Sequence, residues 1–496
     1  MRLGEVLSGI RLRRPAPPEL ASADIAGLEY DSRRIQPGYL FFAFPGSRAD
    51  GRDFARAAIE RGAVAVASES AAPAGLEGKW IELDHGRRAL ALAARTFYGK
   101  PDETVALTGI TGTNGKTTTG FLIDSVLRAA GATTALIGTI EYHLAGRVLP
   151  AVNTTPESLD LVRLLDELRA EGGTRATMEV SSHALELGRV YGLQFHTAVF
   201  TNLTRDHLDF HGTMEAYFAA KQKLFSGAGG SPPAFAVLNS DDSYARSLEL
   251  APETQVIWYG LGQEPGLRAR HIASGRNGLR FDVQYGKQRF AVESPLIGRI
   301  NVYNILAACG AGISYGLAPE TISNGIAALE SVPGRFERVD EGQPFVVVVD
   351  YAHTPDALEN VISIARGLAP KRVITLFGCG GDRDRTKRPM MGKAAAELSD
   401  FVVLTSDNPR SEDPLAIMND ALVGIRRVDK PHVVEPDRAA AIARALDEAR
   451  EGDLVILAGK GHETYQVLRD KTIAFDDRVV AREVLRGYGY HRAAGS

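Results

Sequence analysis

Hydrophobic positions along this chain fall mostly into short continuous runs. From about Val105 one pattern recurs: an apolar run, a turn rich in Gly, Ser, Thr or Asp, then a stretch with helical spacing. TVALTGITGTNG, TTALIGTI, RATMEVSSH, TAVFTNLTRDH and FAVLNSDD follow it, and FVVVVDYAHTP, RVITLFGCGGD, FVVLTSDNPR and DLVILAGKGHE repeat it further on. Continuous apolar strands alternating with helices predict an α/β fold of mostly parallel sheets covered on both faces. In such sheets ligands bind beyond the carboxyl ends of the strands, and nearly every chemically suggestive residue here follows one of these runs. One stretch differs. The alternation in LRFDVQYGKQRFAVE predicts an antiparallel excursion between Gly275 and Val292.

Three domains are expected, at 1–99, 100–332 and 333–496. The first is Ala- and Arg-rich with short strand-like pieces, and the turn Ser331-Val332-Pro333-Gly334 marks the second boundary. The length of 496 residues allows about two to four domains. The tail from His491 to Ser496 is expected to fray. Hydrophobic residues at 44% and charged residues at 24% exclude a largely disordered or fibrous chain. The net charge of −4 offers no basic excess for nucleic acid. Cys309 and Cys379 are too few for a disulfide framework and suit a reducing compartment. No apolar run approaches the roughly 20 residues that span a bilayer, and the start MRLGEVLSGIRLRRP lacks a signal-peptide core. A cytoplasmic protein without membrane insertion is expected. The 51 glycines exceed average usage, so their positions carry information.

The strongest local signal is VALTGITGTNGKTTTGFLIDSVL. A strand ending near Leu107, a Gly-rich loop and a helix opening at Lys116 form the setting of a phosphate loop, in which backbone N–H groups and a helix N-terminus surround phosphate oxygens. Gly112 and Gly115 permit close approach, Lys116 is placed for the β- and γ-phosphates, and the Thr117 hydroxyl is placed for Mg²⁺. Ile110 stands where the strict GxxxxGK[ST] pattern has its first glycine. Glu179, at a strand end in MEVSSH, and His207, beyond a strand in NLTRDHLDFHG, add a carboxylate and an imidazole that suit Mg²⁺ or Mn²⁺ better than zinc. By spacing alone Glu179 is equally a salt-bridge partner and His207 a loop histidine. Lys221 in AAKQKLF is by spacing a surface helix lysine.

GTNGKTT, MEVSSHAL and TNLTRDHLDFHGTMEAYFAAKQKLF, in that order, resemble the ATP-dependent Mur ligases of peptidoglycan synthesis. The resemblance covers nearly the whole chain and is closest to the members that add the third residue of the stem peptide. DSRRIQPGYLFFAFPGSRADGRDF, NTTPES, GRINVYN, VPGRFERV, VDYAHTPDAL, FGCGGDRDRTKRP, DNPRSEDP and AGKGHETYQ follow in family order. It implies a uridine-nucleotide-binding domain, a central ATPase domain and a C-terminal Rossmann-like domain. It implies ATP and Mg²⁺, an acyl-phosphate intermediate and small-molecule substrates; a monomer is expected.

By position it implies that Ser32 and the turn Ser47-Arg48-Ala49 hold the uridine nucleotide, and that Asn153, Thr154, Thr155, Ser181 and Arg189 meet the muramoyl-peptide. Gly112, Thr113, Asn114, Gly115, Lys116, Thr117 and Thr118 would bind ATP with Asn301, Arg335, Asp350 and His353. Thr117, Glu179 and His207 would be metal ligands, joined by Lys221 as a carbamate. Asp407, Asn408, Pro409 and Arg410 resemble the signature of the diaminopimelate-adding members. Arg410 and Arg383 would grip the distal carboxylate of diaminopimelate, which lysine lacks. Glu463 would take the distal ammonium, with Asn408 and the Gly459 backbone completing the pocket. The alternatives are a lysine-adding ligase of the same family, or a P-loop nucleotide switch that ligates nothing.

Overall fold

The computed structural model describes residues 1–46, 49–262, 266–275 and 278–491. Ser47 and Arg48 of the expected uridine turn, and most of the tail, lie outside the described residues. Contacts divide the chain into two compact units. The first comprises Met1–Leu203, Phe210–Gly266 and Ala307–Ile322, and the second Thr204–Asp209, Leu267–Leu306 and Ser323–Ser496.

The first unit opens with a four-stranded parallel sheet: β1 (Gly27–Glu29), β2 (Tyr39–Ala43), β3 (Ala65–Ser68) and β4 (Trp80–Glu82). Its larger sheet contains β5 (Ala106–Thr111), β6 (Thr134–Ile137), β7 (Glu141–Leu144), β8 (Arg147–Pro150), β9 (Arg175–Glu179), β10 (Phe195–Phe200), β11 (Phe235–Asn239) and β12 (Gln255–Gly260). The order is β12-β11-β10-β5-β9-β6-β7-β8, parallel up to β6 and antiparallel beyond it. Parallel central strands must bury both faces, and β5, β9 and β10 are almost wholly buried. The two sheets are tied by polar contacts across helix Ser158–Ala170. Arg163 Nη2 donates to the Leu28 carbonyl at 2.8 Å, and the Tyr30 hydroxyl donates to Asp160 at 2.5 Å.

β5 ends at Thr111, four residues beyond the expected Leu107. The glycine and threonines of TGIT read as a turn in isolation. Backbone pairing on both sides, to Val199 of β10 and Glu179 of β9, holds them in the sheet.

The second unit contains an antiparallel ribbon of β13 (Leu267–Gly275), β14 (Gly278–Tyr285) and β15 (Gln288–Ser294). The expected excursion is present and begins earlier than Gly275, because β13 supplies its first strand. A second sheet runs β16-β17-β21-β18-β19-β20, with β16 (Glu337–Val339), β17 (Val346–Asp350), β18 (Val373–Cys379), β19 (Phe401–Ser406), β20 (His432–Glu435) and β21 (Leu454–Ala458). β16 is antiparallel and the rest are parallel. Helices Pro355–Gly367, Lys387–Leu398 and Pro414–Arg426 cover one face, and Arg438–Glu448 and Asp477–Gly487 the other, giving two hydrophobic cores across one doubly wound sheet. A two-stranded ribbon, β22 (Tyr465–Val467) and β23 (Thr472–Ala474), follows β21. Among the described residues no helix is long and apolar enough to cross a membrane.

Candidate functional site

In the first unit the chemistry gathers at the carboxyl ends of the neighbouring strands β10, β5, β9 and β6. The loop after β5 leads into helix Lys116–Ala129, as expected. Gly112 has φ 146°, and a Cβ there would lie 1.9 Å from Thr201 Oγ1, so no side chain fits. The loop is pinned to the residues following β10. Thr113 N–H donates to the Asn202 carbonyl (2.8 Å) and Asn114 N–H to Asn202 Oδ1 (2.9 Å). The Thr201 hydroxyl donates to the Asn114 carbonyl at 2.7 Å. Lys116 Nζ turns back on its own loop, donating to the carbonyls of Gly112 (2.9 Å) and Thr113 (2.8 Å). Gly115 caps the helix, and Thr117 and Thr118 are buried in its first turn. A rigid loop at a helix N-terminus with a lysine at its mouth is built to hold phosphate.

Glu179 closes β9 with 2% of its surface exposed. Thr139, just beyond β6, holds both carboxylate oxygens: its N–H donates to Oε1 at 2.9 Å and its hydroxyl to Oε2 at 3.1 Å. Thr139 thus fixes the Glu179 carboxylate at the strand end. The Thr117 hydroxyl and this carboxylate are hard oxygen donors, the type Mg²⁺ takes. Among the described residues no three His, Cys, Asp or Glu side chains converge as a ready-made metal cluster. Lys221 corrects its spacing-based reading. It is 1% exposed rather than on the surface, its Nζ donates to the Gly112 carbonyl at 2.9 Å, and it lies 4.6 Å from the Tyr217 ring centroid. His207 belongs to the second unit and has φ 52°. Its ring Nε2 is 3.4 Å from Asp206 Oδ2, and its N–H donates to Asp206 Oδ1 at 2.9 Å.

Beside Glu179 a polar strap crosses the same strand ends. The Thr155 hydroxyl donates to the Glu179 carbonyl (2.8 Å) and accepts from Ser181 N–H (3.1 Å), while Thr154 and Thr139 hydroxyls meet at 3.1 Å. Asn153 is fixed through its carbonyl by the Tyr142 hydroxyl at 2.5 Å. Ser181 caps helix Ser182–Glu186. Arg189 donates to the Thr155 carbonyl at 2.9 Å and to Glu157 at 3.0 Å, and Arg87 meets the same Glu157 at 2.8 Å. Ser32 opens the turn Ser32–Arg34, its carbonyl accepting from Arg61, and Ala49 is exposed.

In the second unit Asp350 ends β17, and its Oδ2 accepts the Phe336 N–H at 2.7 Å. Burial pushes its carboxyl upward against the pull of Arg335. The Arg335 guanidinium lies 4.9 Å from the Tyr351 ring centroid. His353, an exposed side chain, donates Nδ1–H to the Tyr351 carbonyl at 2.8 Å. Asn301 is turned inward: its Nδ2 donates to the Ile297 carbonyl (2.7 Å) and its Oδ1 accepts from Asn304 (2.9 Å).

The loops after β18, β19 and β21, three neighbouring strands, meet in a second polar pocket. A Cβ on Gly380 would lie 3.0 Å from Arg410 Nη1 and 3.8 Å from Arg383 Cγ, so both arginine arms pass over the same residue. Arg410 Nη1 donates to the Gly381 carbonyl at 2.7 Å, and Arg383 Nη1 to the Asp382 carbonyl at 3.3 Å. Glu463 is not a bare counter-ion. Its Oε2 accepts from Lys460 Nζ at 2.7 Å and from Asn408 Nδ2 at 2.9 Å, and Lys460 is fully buried. Asn408 Oδ1 also accepts from Lys460 and from the Val467 N–H. Asp407 sits beneath Gly459: a Cβ there would be 2.7 Å from Asp407 Oδ2, an atom buried without a hydrogen-bond partner among the described residues. Its Oδ1 accepts the Asn408 N–H at 2.7 Å, while Pro409 links Asn408 to Arg410. Thr139, Asn202, Tyr217 and Lys460 had no assignment from sequence. Lys460 lies inside the AGKGHE string and was open to notice as a lysine between two glycines.

Three family models match in succession: "Mur ligase family, catalytic domain" over residues 24–98, "Mur ligase middle domain" over 110–312, and "Mur ligase, glutamate ligase domain" over 334–461. A protein of Solibacter usitatus named UDP-N-acetylmuramoyl-L-alanyl-D-glutamate–2,6-diaminopimelate ligase is 74% identical over 492 residues, covering 99% of this chain and all of that one. A protein of the same name from Geobacillus thermodenitrificans is 48% identical, covering 93% of this chain and 95% of its own. A solved structure of a ligase of that name aligns with a TM-score of 0.70 at 34% identity, covering 99% of each chain.

Proposed function

The chain belongs to the Mur ligase family, and on that premise we propose that it joins meso-2,6-diaminopimelate to UDP-N-acetylmuramoyl-L-alanyl-D-glutamate while converting ATP to ADP and phosphate. The observation that carries the choice of amino acid is the approach of Arg410 Nη1 and Arg383 Cγ to Gly380, with Asn408 contacting both Arg410, through its carbonyl, and Glu463, through its side chain. Two guanidiniums are suited to a carboxylate. A lysine substrate has no distal carboxylate and would leave them unpaired, which disfavours the lysine-adding alternative. A nucleotide switch would have no use for such a pocket.

A carboxylate is a poor acyl donor, and ATP cures this. An oxygen of the D-glutamyl γ-carboxylate attacks the γ-phosphorus, the bond to ADP breaks, and an acyl phosphate forms. The amine of diaminopimelate attacks the acyl carbon and loses a proton, and the tetrahedral intermediate expels phosphate. Lys116 and the N–H groups of the helix's first turn, Gly115 through Thr118, neutralise and align the phosphates, so catalysis is positioning plus electrostatics. Thr117, Glu179 and His207, with Lys221 as a carbamate, would hold Mg²⁺, which would supply further neutralisation. The Asp206 contact suits His207 to this role, since a carboxylate partner fixes a ligating imidazole. Burial of Lys221 against the phosphate loop suits a lysine whose CO₂ adduct would be an anionic oxygen donor.

We assign Asn153, Thr154, Thr155, Ser181 and Arg189 to the muramoyl-peptide, Ser32 and the Ser47–Ala49 turn to the uridine nucleotide, and Asn301, Arg335, Asp350 and His353 to ATP. The work divides as uridine binding at 1–99, ATP chemistry at 100–332 and amino-acid binding at 333–496. The enzyme acts as a cytoplasmic monomer.

Phosphate release from ATP, measured with the nucleotide-dipeptide and each candidate amino acid, tests this reading. Release with diaminopimelate and not lysine is expected, and turnover with lysine alone would refute it. Lys116→Ala should nearly abolish turnover while leaving the fold intact.

A further inference from the structure

Among the non-glycine residues of the second unit with left-handed backbone, two lie on facing loops: Asp382 (φ 53°) and Arg410 (φ 52°). That conformation is uncommon for residues other than glycine and persists only where surroundings enforce it. Here the enforcement is visible. Gly381 N–H donates to the Asn408 carbonyl at 2.9 Å, and the Ser411 hydroxyl and N–H both donate to the Asp382 carboxylate, at 2.6 and 3.2 Å. Asp382 N–H donates to Glu412 Oε1 at 2.5 Å. Glu412 is in turn gripped by Arg388, which contacts Oε1 at 2.7 Å through Nη2 and Oε2 at 3.0 Å through Nη1, and is itself 1% exposed. Arg388 also meets Asp420 at 3.0 Å and the Gly380 carbonyl at 3.4 Å. A buried cation thus holds a carboxylate whose other contact is the amide preceding Arg383.

We infer that Glu412 is a positioning residue for amino-acid recognition. Through the Asp382 backbone it sets the loop from which Arg383 extends alongside Arg410, so that both arginines present to one carboxylate. This rests on the assignment of that arginine pair to the distal carboxylate of diaminopimelate. The Glu412 carboxyl is held down to about 2, chiefly by its hydrogen bonds with Arg388, so the clamp stays ionic at any pH at which the enzyme is assayed. Arg388 is too deeply buried to be a clean probe, whereas Glu412 sits on a loop and its truncation leaves Arg388 the Asp420 carboxylate as a partner.

The test is steady-state kinetics of Glu412→Ala, Glu412→Gln and Arg410→Ala, varying each of the three substrates in turn, with thermal melts confirming folding. Loss of one charge-assisted contact in the clamp should raise the diaminopimelate KM of Glu412→Ala by about tenfold or more. The KM values for ATP and the nucleotide-dipeptide should move by less than about twofold, as expected when only one substrate's binding is disturbed. Glu412→Gln, which keeps an acceptor for the Asp382 N–H, should recover much of the loss. Parallel rises in all three KM values would overturn the inference. So would an unchanged diaminopimelate KM in Glu412→Ala when Arg410→Ala raises it. If Arg410→Ala leaves that KM unchanged, the arginine assignment itself is wrong and the inference falls with it.

Discussion

Replacing Asp477 with alanine removes the carboxylate that neutralises Arg438, and neither side chain reaches solvent. The pair is bidentate, with Nη2–Oδ2 at 2.6 Å and Nε–Oδ1 at 2.8 Å. Burial opposes the guanidinium's charge, and the Asp477 carboxylate more than compensates, raising the Arg438 pKa. With Asp477 gone, the cation keeps the carbonyls of Ala458 (3.0 Å) and Ser406 (3.3 Å) as acceptors. Carbonyls alone do not balance a full charge out of water. Breaking one side of a buried pair costs about 3–5 kcal/mol, against a domain stability of about 5–15 kcal/mol. At about 2–4 °C per kcal/mol for a domain of this size, the melting midpoint of the second unit should fall by about 6–20 °C. Differential scanning calorimetry reads this directly. The control is the double variant Arg438→Met with Asp477→Leu, which removes both charges of the pair and should regain most of the loss. A shift below about 2 °C for Asp477→Ala, or a double variant as unstable as the single, would refute the reasoning. Ser406 and Ala458 end the strands that lead into DNPR and AGKGHE, so weaker diaminopimelate binding should accompany the lost stability.

Three further outcomes are expected. Gly459→Ala puts a methyl group 2.7 Å from Asp407 Oδ2 at a φ of 115°; it should lower thermal stability and raise the diaminopimelate KM, and wild-type values for both would contradict the packing. If Lys221 is carbamylated, enzyme equilibrated with ¹³C-labelled bicarbonate should give a carbamate carbonyl NMR signal that is absent from Lys221→Ala, and no difference between the two would refute the modification. His462 is held neutral, its pKa pushed down to about 3 by burial and by neighbouring Arg335 and Arg478. Because the unfolded chain binds that proton at an ordinary pKa near 6.5, the stabilisation present above that pH is lost as pH falls toward 3. Chemical denaturation from pH 7 to pH 4 should therefore show a flatter decline for His462→Phe than for wild type, and identical slopes would refute the assignment.

The parallel sheets were legible because a strand buried on both faces reads as a continuous apolar run, as in FVVVVD and FVVLTS. The ends of β5 were not, because Thr108–Thr111 lack that run and are held by neighbours distant in sequence. The same cause explains the missed site residues. Thr139 and Asn202 act on Glu179 and the phosphate loop only because β6 and β10 lie at the same edge as β5 and β9, and strand order is not written in strand sequence. Lys221 misled because its helix, Met214–Phe225, buries Tyr217, Ala220, Lys221, Leu224 and Phe225 together. A lysine on an apolar face looks from sequence like an interruption, yet this one points inward at a carbonyl. The charge arrangement around Glu463 was half-legible: its motif was evident, but not that a lysine three residues earlier already meets it.

The inward turn of Lys116 gives the phosphate loop a threshold. Because its ammonium already donates to the carbonyls of Gly112 and Thr113, an entering ligand competes for protons already in use. Its gain is a difference between acceptors. A neutral acceptor offers Lys116 nothing better than what it holds, whereas hydrogen bonds to charged groups are worth about twice those between neutral ones. Capture of the lysine thus scales with the negative charge brought to the loop's mouth, so the loop discriminates by phosphate charge.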